Sequence, residues 1–136
     1  MVQVYFLIIV CNILMGVILS KEFFKSKFEK FSPFEQILSS EIFQVTIGCI
    51  GTIVGILALF FRFTGNMIVI GDLIPALVGI ISGITLFVEY IAHEEGEDST
   101  MILFFKKIFI KNKTILGLTA ITSGILHFII PAVELL

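Results

Sequence analysis

The chain has 136 residues, of which 57% are hydrophobic and 15% charged, with a formal net charge of −2. A mean hydropathy of +1.10 and fifteen Phe leave too little polar surface to cover a water-soluble core, which argues against a soluble helical domain. The basic residues are too few and too segregated for a nucleic-acid surface, so no nucleic-acid partner is expected.

Four apolar stretches run approximately over residues 3–19, 42–61, 71–91 and 114–131. Each is near the length needed to cross about 30 Å of hydrocarbon at about 1.5 Å per residue. They predict an all-α integral membrane protein: one domain over 1–136, with four transmembrane helices in a small bundle. The first stretch has no Lys or Arg before Lys21. It therefore lacks the basic start of a cleaved signal peptide and reads as a retained span. Cys11 and Cys49 lie inside spans without metal-ligand spacing, so they read as small hydrophobes, and neither a disulfide nor a metal site is expected.

After the first stretch, Lys21, Lys25, Lys27 and Lys30 precede the second. Lys106, Lys107, Lys111 and Lys113 sit between the third and fourth, while Arg62 alone follows the second. The positive-inside rule places both lysine-rich loops in the cytoplasm and both termini outside. A bacterial cytoplasmic membrane is the default location. Within 20–40, Phe24, Phe28 and Phe31 recur at helical spacing among lysines. They predict a short interfacial helix with Phe in lipid, ended or kinked by Pro33; an irregular Phe-rich linker is the alternative. In the second cytoplasmic loop, 93–98 reads as a solvated acidic turn, and 101–113 as an apolar segment lying at the interface.

Small residues supply the packing surfaces that lipid-embedded helices need. The second stretch offers Gly48, Gly51, Thr52 and Gly55, the third Ala76, Gly79 and Gly83, and the fourth Gly117, Ala120 and Gly124. These stripes predict a tight bundle of spans two, three and four. The first span, with Gly16 alone, is expected at the edge. Residues 52–58 resemble 114–120, a similarity better explained by chance among Gly/Ile-rich helices than by duplication.

Ionisable and polar groups inside the membrane are the candidate functional residues. Asn12 reads as a hydrogen-bonding hold between helices. Glu89 shares a side of its helix with Pro75, Ser82 and Thr85; it is expected to reach headgroup level and meet a loop lysine. His127 is expected to point into the bundle, where Arg62 and Asp72 lie at the same outer side and complete a candidate polar cluster. Asp72 is also placed to cap the third helix, with Pro75 in its first turn.

The stretch 47–87 contains Gly51, Thr52, Val54 and Gly55, followed by Ala76 and Gly79 on the next helix. In this it resembles the proton-channel subunits of flagellar motors and biopolymer-uptake systems. The resemblance covers about 40 residues and implies proton conduction between packed helices. That family's long cytoplasmic helical extensions are absent here.

No Ser-His-Asp set, HExxH, CxxC or glycine-rich phosphate loop is present, so no enzymatic activity and no cofactor are expected. Three functional expectations remain. The first is a non-enzymatic membrane subunit that assembles with larger membrane partners or with itself. The second is a proton or small-solute channel or transporter component. The third is a lipid-binding organiser acting through the Phe/Lys segments.

Overall fold

The computed structural model describes residues 2–28, 32–60, 73–94 and 100–129. Helix α1 covers Val2–Leu19, α2 Lys21–Lys27, α3 Ser32–Leu38, α4 Glu41–Phe60 and α5 Leu73–Glu94. Then come α6 (Thr100–Phe105), a π-helical turn (Lys106–Ile110) and α7 (Lys113–Ile129). Among the described residues there is no strand. The four apolar stretches are thus helices, with ends within a few residues of those expected.

The four long helices form one bundle. The most extensive contacts join α4 to α5 and α1 to α7; α1 also packs on α4 and α5, and α5 on α7. Helices α4 and α7 occupy opposite corners, so α1 and α5 form the short diagonal. Glycines set both tight pairs. A methyl group built on Gly16 would lie 2.6 Å from the Gly117 carbonyl oxygen, and one on Gly117 2.7 Å from that of Gly16. Here the backbones of α1 and α7 meet directly, which only glycine allows on both sides. Gly83 and Gly48 do the same for α5 and α4.

The expectation that the first helix lies at the edge is overturned. Ile8, Ile9, Cys11, Asn12, Met15, Ile18 and Leu19 of α1 are all buried. Small residues on its neighbours make the room. Gly51 faces Met15, Gly79 faces Asn12 and Gly124 faces Ile13, so bulky side chains of α1 fill the space that the other helices vacate. The bundle is accordingly not a trio of α4, α5 and α7.

Helices α4 and α5 are long and apolar enough to cross a membrane. A third candidate exists if α1 and α2, bent by 67°, are counted as one broken span, while α7 is apolar but shorter. The bundle's outer surface is apolar: Ile53 is 57% exposed, Phe60 79% and Phe128 62%. The bend falls at Ser20, whose hydroxyl donates to the Gly16 carbonyl alongside its own backbone amide, a pattern that bends helices.

The segment after the bend differs from the single interfacial helix expected. Helix α2 ends at Phe28, which has an extended backbone (φ −130°, ψ 105°), and Pro33 lies in the first turn of α3 instead of ending a helix. Proline lacks an amide donor, and first-turn amides have no intrahelical acceptor, so it starts a helix without loss. The π-helical turn closes through Lys111 N–H to the Lys106 carbonyl at 3.3 Å. Helix α5 runs on through His93 and Glu94, which the sequence places in a loop; the rest of that acidic turn, 95–98, lies outside the described residues.

Candidate functional site

The polar residues of the bundle are distributed along its length. Asn12, fully buried at the middle of α1, donates from Nδ2 to the Pro75 carbonyl of α5 at 2.9 Å. Its Oδ1 lies 3.0 Å from where a Gly79 methyl would stand, and the Gly51 carbonyl of α4 is 3.8 Å from that same point. One amide therefore marks the meeting of three helices, and glycine at 79 is what lets it approach. Further along the same face of α5, Ser82 and Thr85 are fully buried. The Thr85 hydroxyl donates to the Ile81 carbonyl at 2.7 Å. Asn12 Oδ1 and Ser82 Oγ are enclosed without a protein hydrogen-bond partner.

Glu89 ends this face. Its Oε1 accepts from Lys113 Nζ at 2.7 Å, with both side chains about one-fifth exposed, so Glu89 meets a lysine as expected. The partner is the first residue of α7, and the pair ties the end of α5 to its start. At the same end, Gln44 Nε2 donates to the Leu38 carbonyl at 2.8 Å, fastening α3 to α4.

His127 points into the bundle and is 6% exposed. The Tyr5 hydroxyl donates to its backbone carbonyl. The Tyr5 ring lies 4.5 Å from the imidazole, centroid to centroid, at 44°. Arg62 and Asp72, the other members of the expected cluster, lie outside the described residues. Tyr5 went unnoticed in the sequence; the signal was a tyrosine at a helix end, whose hydroxyl needs a partner once its ring is covered. Asn12, Glu89 and His127 do not converge on one centre. Glu89 lies ten residues beyond Gly79 on α5, about 15 Å along the axis.

Among the described residues, the lysine-bearing end carries the remaining charge. Phe24 is half-buried and stacks on Phe28 at 6.3 Å, Phe28 is 59% exposed, and Phe31 lies outside the described residues. Lys25 pairs with Glu35 at 2.7 Å, joining α2 to α3. That hydrogen bond and the carboxylate charge hold the Lys25 ammonium above its ordinary pKa. A cleft of ≈ 90 Å³ opens here among the starts of α2 and α4 and the end of α5, lined by residues that include Lys21, Glu41, Glu89 and His93. Among the described residues, no group of three or more His, Cys, Asp or Glu is placed to hold a metal ion.

This is a helical bundle whose helices include two, or three with the bent pair, that suit a membrane. The chain belongs to a family of unknown function whose model matches residues 1–127. No curated protein and no solved structure matches it.

Proposed function

We propose that the chain is a non-enzymatic membrane subunit that assembles with larger membrane partners or with copies of itself. In this reading all four long helices cross the membrane. Helix α1 has 18 residues and α7 has 17, which gives them about 27 and 26 Å at about 1.5 Å per residue. Both fall just short of a hydrocarbon core of about 30 Å, and flanking lysines and aromatics complete them. The lysine-bearing end faces the cytoplasm and both termini face outward. A bacterial inner membrane is the default setting.

The observation that carries this reading is the use made of the core's polar groups. Asn12 holds α1 to α5, Glu89 holds α5 to α7, and Tyr5 and His127 hold α1 to α7. The groups that a conducting path would need join helices instead. The surface, by contrast, leaves large apolar side chains uncovered at the lysine-bearing end, with Phe34 63% and Phe104 60% exposed. Native mass spectrometry of the tagged protein, gently extracted from its own cells, tests the reading. Stoichiometric larger partners or a fixed oligomer are expected; a lone monomer at every concentration would refute it.

Conduction of protons or a small solute is the second reading, favoured by Asn12 Oδ1 and Ser82 Oγ, which are buried without partners. Purified protein in liposomes would then carry flux that His127→Ala abolishes at unchanged abundance. Lost abundance with unchanged specific flux would make His127 structural.

A further inference from the structure

The cleft at the lysine-bearing end gathers polar groups of two kinds. Some are committed: Glu89 to Lys113 and Gln44 to the Leu38 carbonyl. Others are not. The side chains of Lys21 and Glu41 line the same cleft yet make no ion pair or hydrogen bond with each other or with any other described residue. Tyr90 and His93 join them in the lining, also without a side-chain partner among the described residues. A cation and a carboxylate held apart in one cavity, with two further polar groups beside them, suit a ligand that carries both charges.

We propose that this cleft binds the headgroup of a phospholipid with a primary ammonium next to its phosphate, the chemistry of phosphatidylethanolamine. Glu41 accepts hydrogen bonds from the ammonium, and Lys21 donates to the phosphate. The assignment rests on the membrane placement proposed above, which sets this end of the bundle at headgroup level. Two features select lipid over a soluble zwitterion. Ile42, next to Glu41, is 81% exposed, and Ile37, two residues before the cleft's Ser39, is 60% exposed. These exposed apolar side chains neighbour lining residues in sequence, and acyl chains would run along them. The chemistry also selects among lipids. A trimethylammonium headgroup has no N–H to give Glu41. A purely anionic headgroup would set its phosphate near the Glu41 carboxylate with nothing to neutralise that charge.

The test is lipid retention by the full-length protein, taken from nanodiscs of equal phosphatidylethanolamine, phosphatidylcholine and phosphatidylglycerol into the mass spectrometer. Phosphatidylethanolamine is expected to be retained about tenfold over phosphatidylcholine, the equivalent of one charge-assisted hydrogen bond. Glu41→Gln is expected to erase that preference. Lys21→Gln is expected to lower retention of every phospholipid. Glu41 is exposed at a helix start, so its variant keeps the fold; helix content by circular dichroism checks this, and His93→Gln gives a second, milder probe of the same cleft. Equal retention of the three lipids, or a preference that survives Glu41→Gln, would overturn the proposal. Displacement of the lipid by an equal concentration of free glycerophosphoethanolamine would overturn lipid as the ligand's source. Lipid selectivity is read on the monomeric unit, so its failure is separate from failure to find protein partners.

Discussion

Replacing Gly83 by Ala tests the backbone contact on which the α4–α5 pair is built. The added methyl would lie 2.5 Å from the Gly48 carbonyl oxygen, 2.1 Å from Thr52 Oγ1 and 3.1 Å from the Thr52 amide nitrogen. The Thr52 hydroxyl is not free to swing aside, because it donates to the Gly48 carbonyl at 2.8 Å. The backbone atoms cannot move without the helix. Comfortable contact for carbon begins near about 3.5 Å, so the helices must separate by about 1 Å. Overpacking of this kind costs about 1–3 kcal/mol, offset by about 0.5–1 kcal/mol for removing a glycine from a helix interior. Gly51→Ala is the matched control. Its methyl also meets atoms closely, at 2.4 and 2.5 Å, but they are Cε and Sδ of Met15, the mobile end of an unbranched side chain. It is expected to be neutral or to stabilise by up to about 1 kcal/mol. The two variants therefore differ by about 2 kcal/mol, about thirtyfold in the folded ratio. Unfolding in mixed micelles of rising SDS fraction, followed by circular dichroism, measures this difference. Equal stability of the two variants would refute the claim that backbone contact, not local volume, governs the seam.

Three further outcomes are expected. Asn12→Leu removes the hold on the Pro75 carbonyl and presses a branched side chain against Gly79; the loss is about 0.6–2 kcal/mol for the hydrogen bond alone, read in the same SDS titration, and unchanged stability would count against Asn12 as a hold. A double-mutant cycle on Glu89→Gln and Lys113→Gln is expected to give a coupling of no more than about 1 kcal/mol, because both side chains are partly solvated; a larger value would indicate that the pair is shielded by lipid or by a partner. Lys25 has its pKa raised by the hydrogen bond it donates to Glu35, so its contribution is complete below the unfolded lysine pKa and is lost as pH rises through the raised folded value. Alkaline titration is expected to loosen α2 from α3 in that window, seen as faster amide exchange, and Glu35→Gln is expected to abolish the pH dependence; a transition that persists in the variant would assign it elsewhere.

The sequence located helices better than it located their neighbours. Long runs of Ile, Leu, Val and Phe have one economical backbone in lipid, and small residues every three or four positions mark a contact face. Gly48, Gly55, Gly83, Gly117 and Gly124 all sit where close approach occurs. Spacing along one helix says nothing of the partner, however. Gly117 belongs to a stripe that reads as facing the other glycine-rich helices, yet it meets Gly16 of α1. A lone glycine in a bulky helix reads as a poor contact, because the signal counts small residues and not the holes that small residues create opposite. Met15 and Asn12 are buried through the second route. Glu89 was legible because a carboxylate at a helix end near lysines has an obvious need. Tyr5 was not, because its partner is a backbone carbonyl 122 positions away, and no side-chain pattern reports a carbonyl.

The central place of α1 changes where interaction surfaces should be sought. An edge helix would have been the natural contact for a partner, but α1 packs against α4, α5 and α7 and, among the described residues, exposes large apolar side chains only at Phe6 and Leu7. The corners are α4 and α7, and α4 turns most of its length outward: Ile42, Ile50, Ile53, Ile56, Leu57, Leu59 and Phe60 are all exposed. That surface carries few groups able to specify a protein partner, and side chains like these gain little from leaving lipid for one another. Helix α4 has one exposed threonine, Thr46, and α7 has two, Thr119 and Thr122, each of which returns its hydroxyl to a carbonyl one turn back. Those hydroxyls are small, and their hydrogen-bonding need is already met within the helix. A neighbouring helix can approach them closely without desolvating an unsatisfied group. If the chain is the subunit proposed above, α7 offers two such positions against one on α4, and crosslinking through cysteines placed at 119 and 122, with 46 as the comparison, tests whether a protein meets either corner.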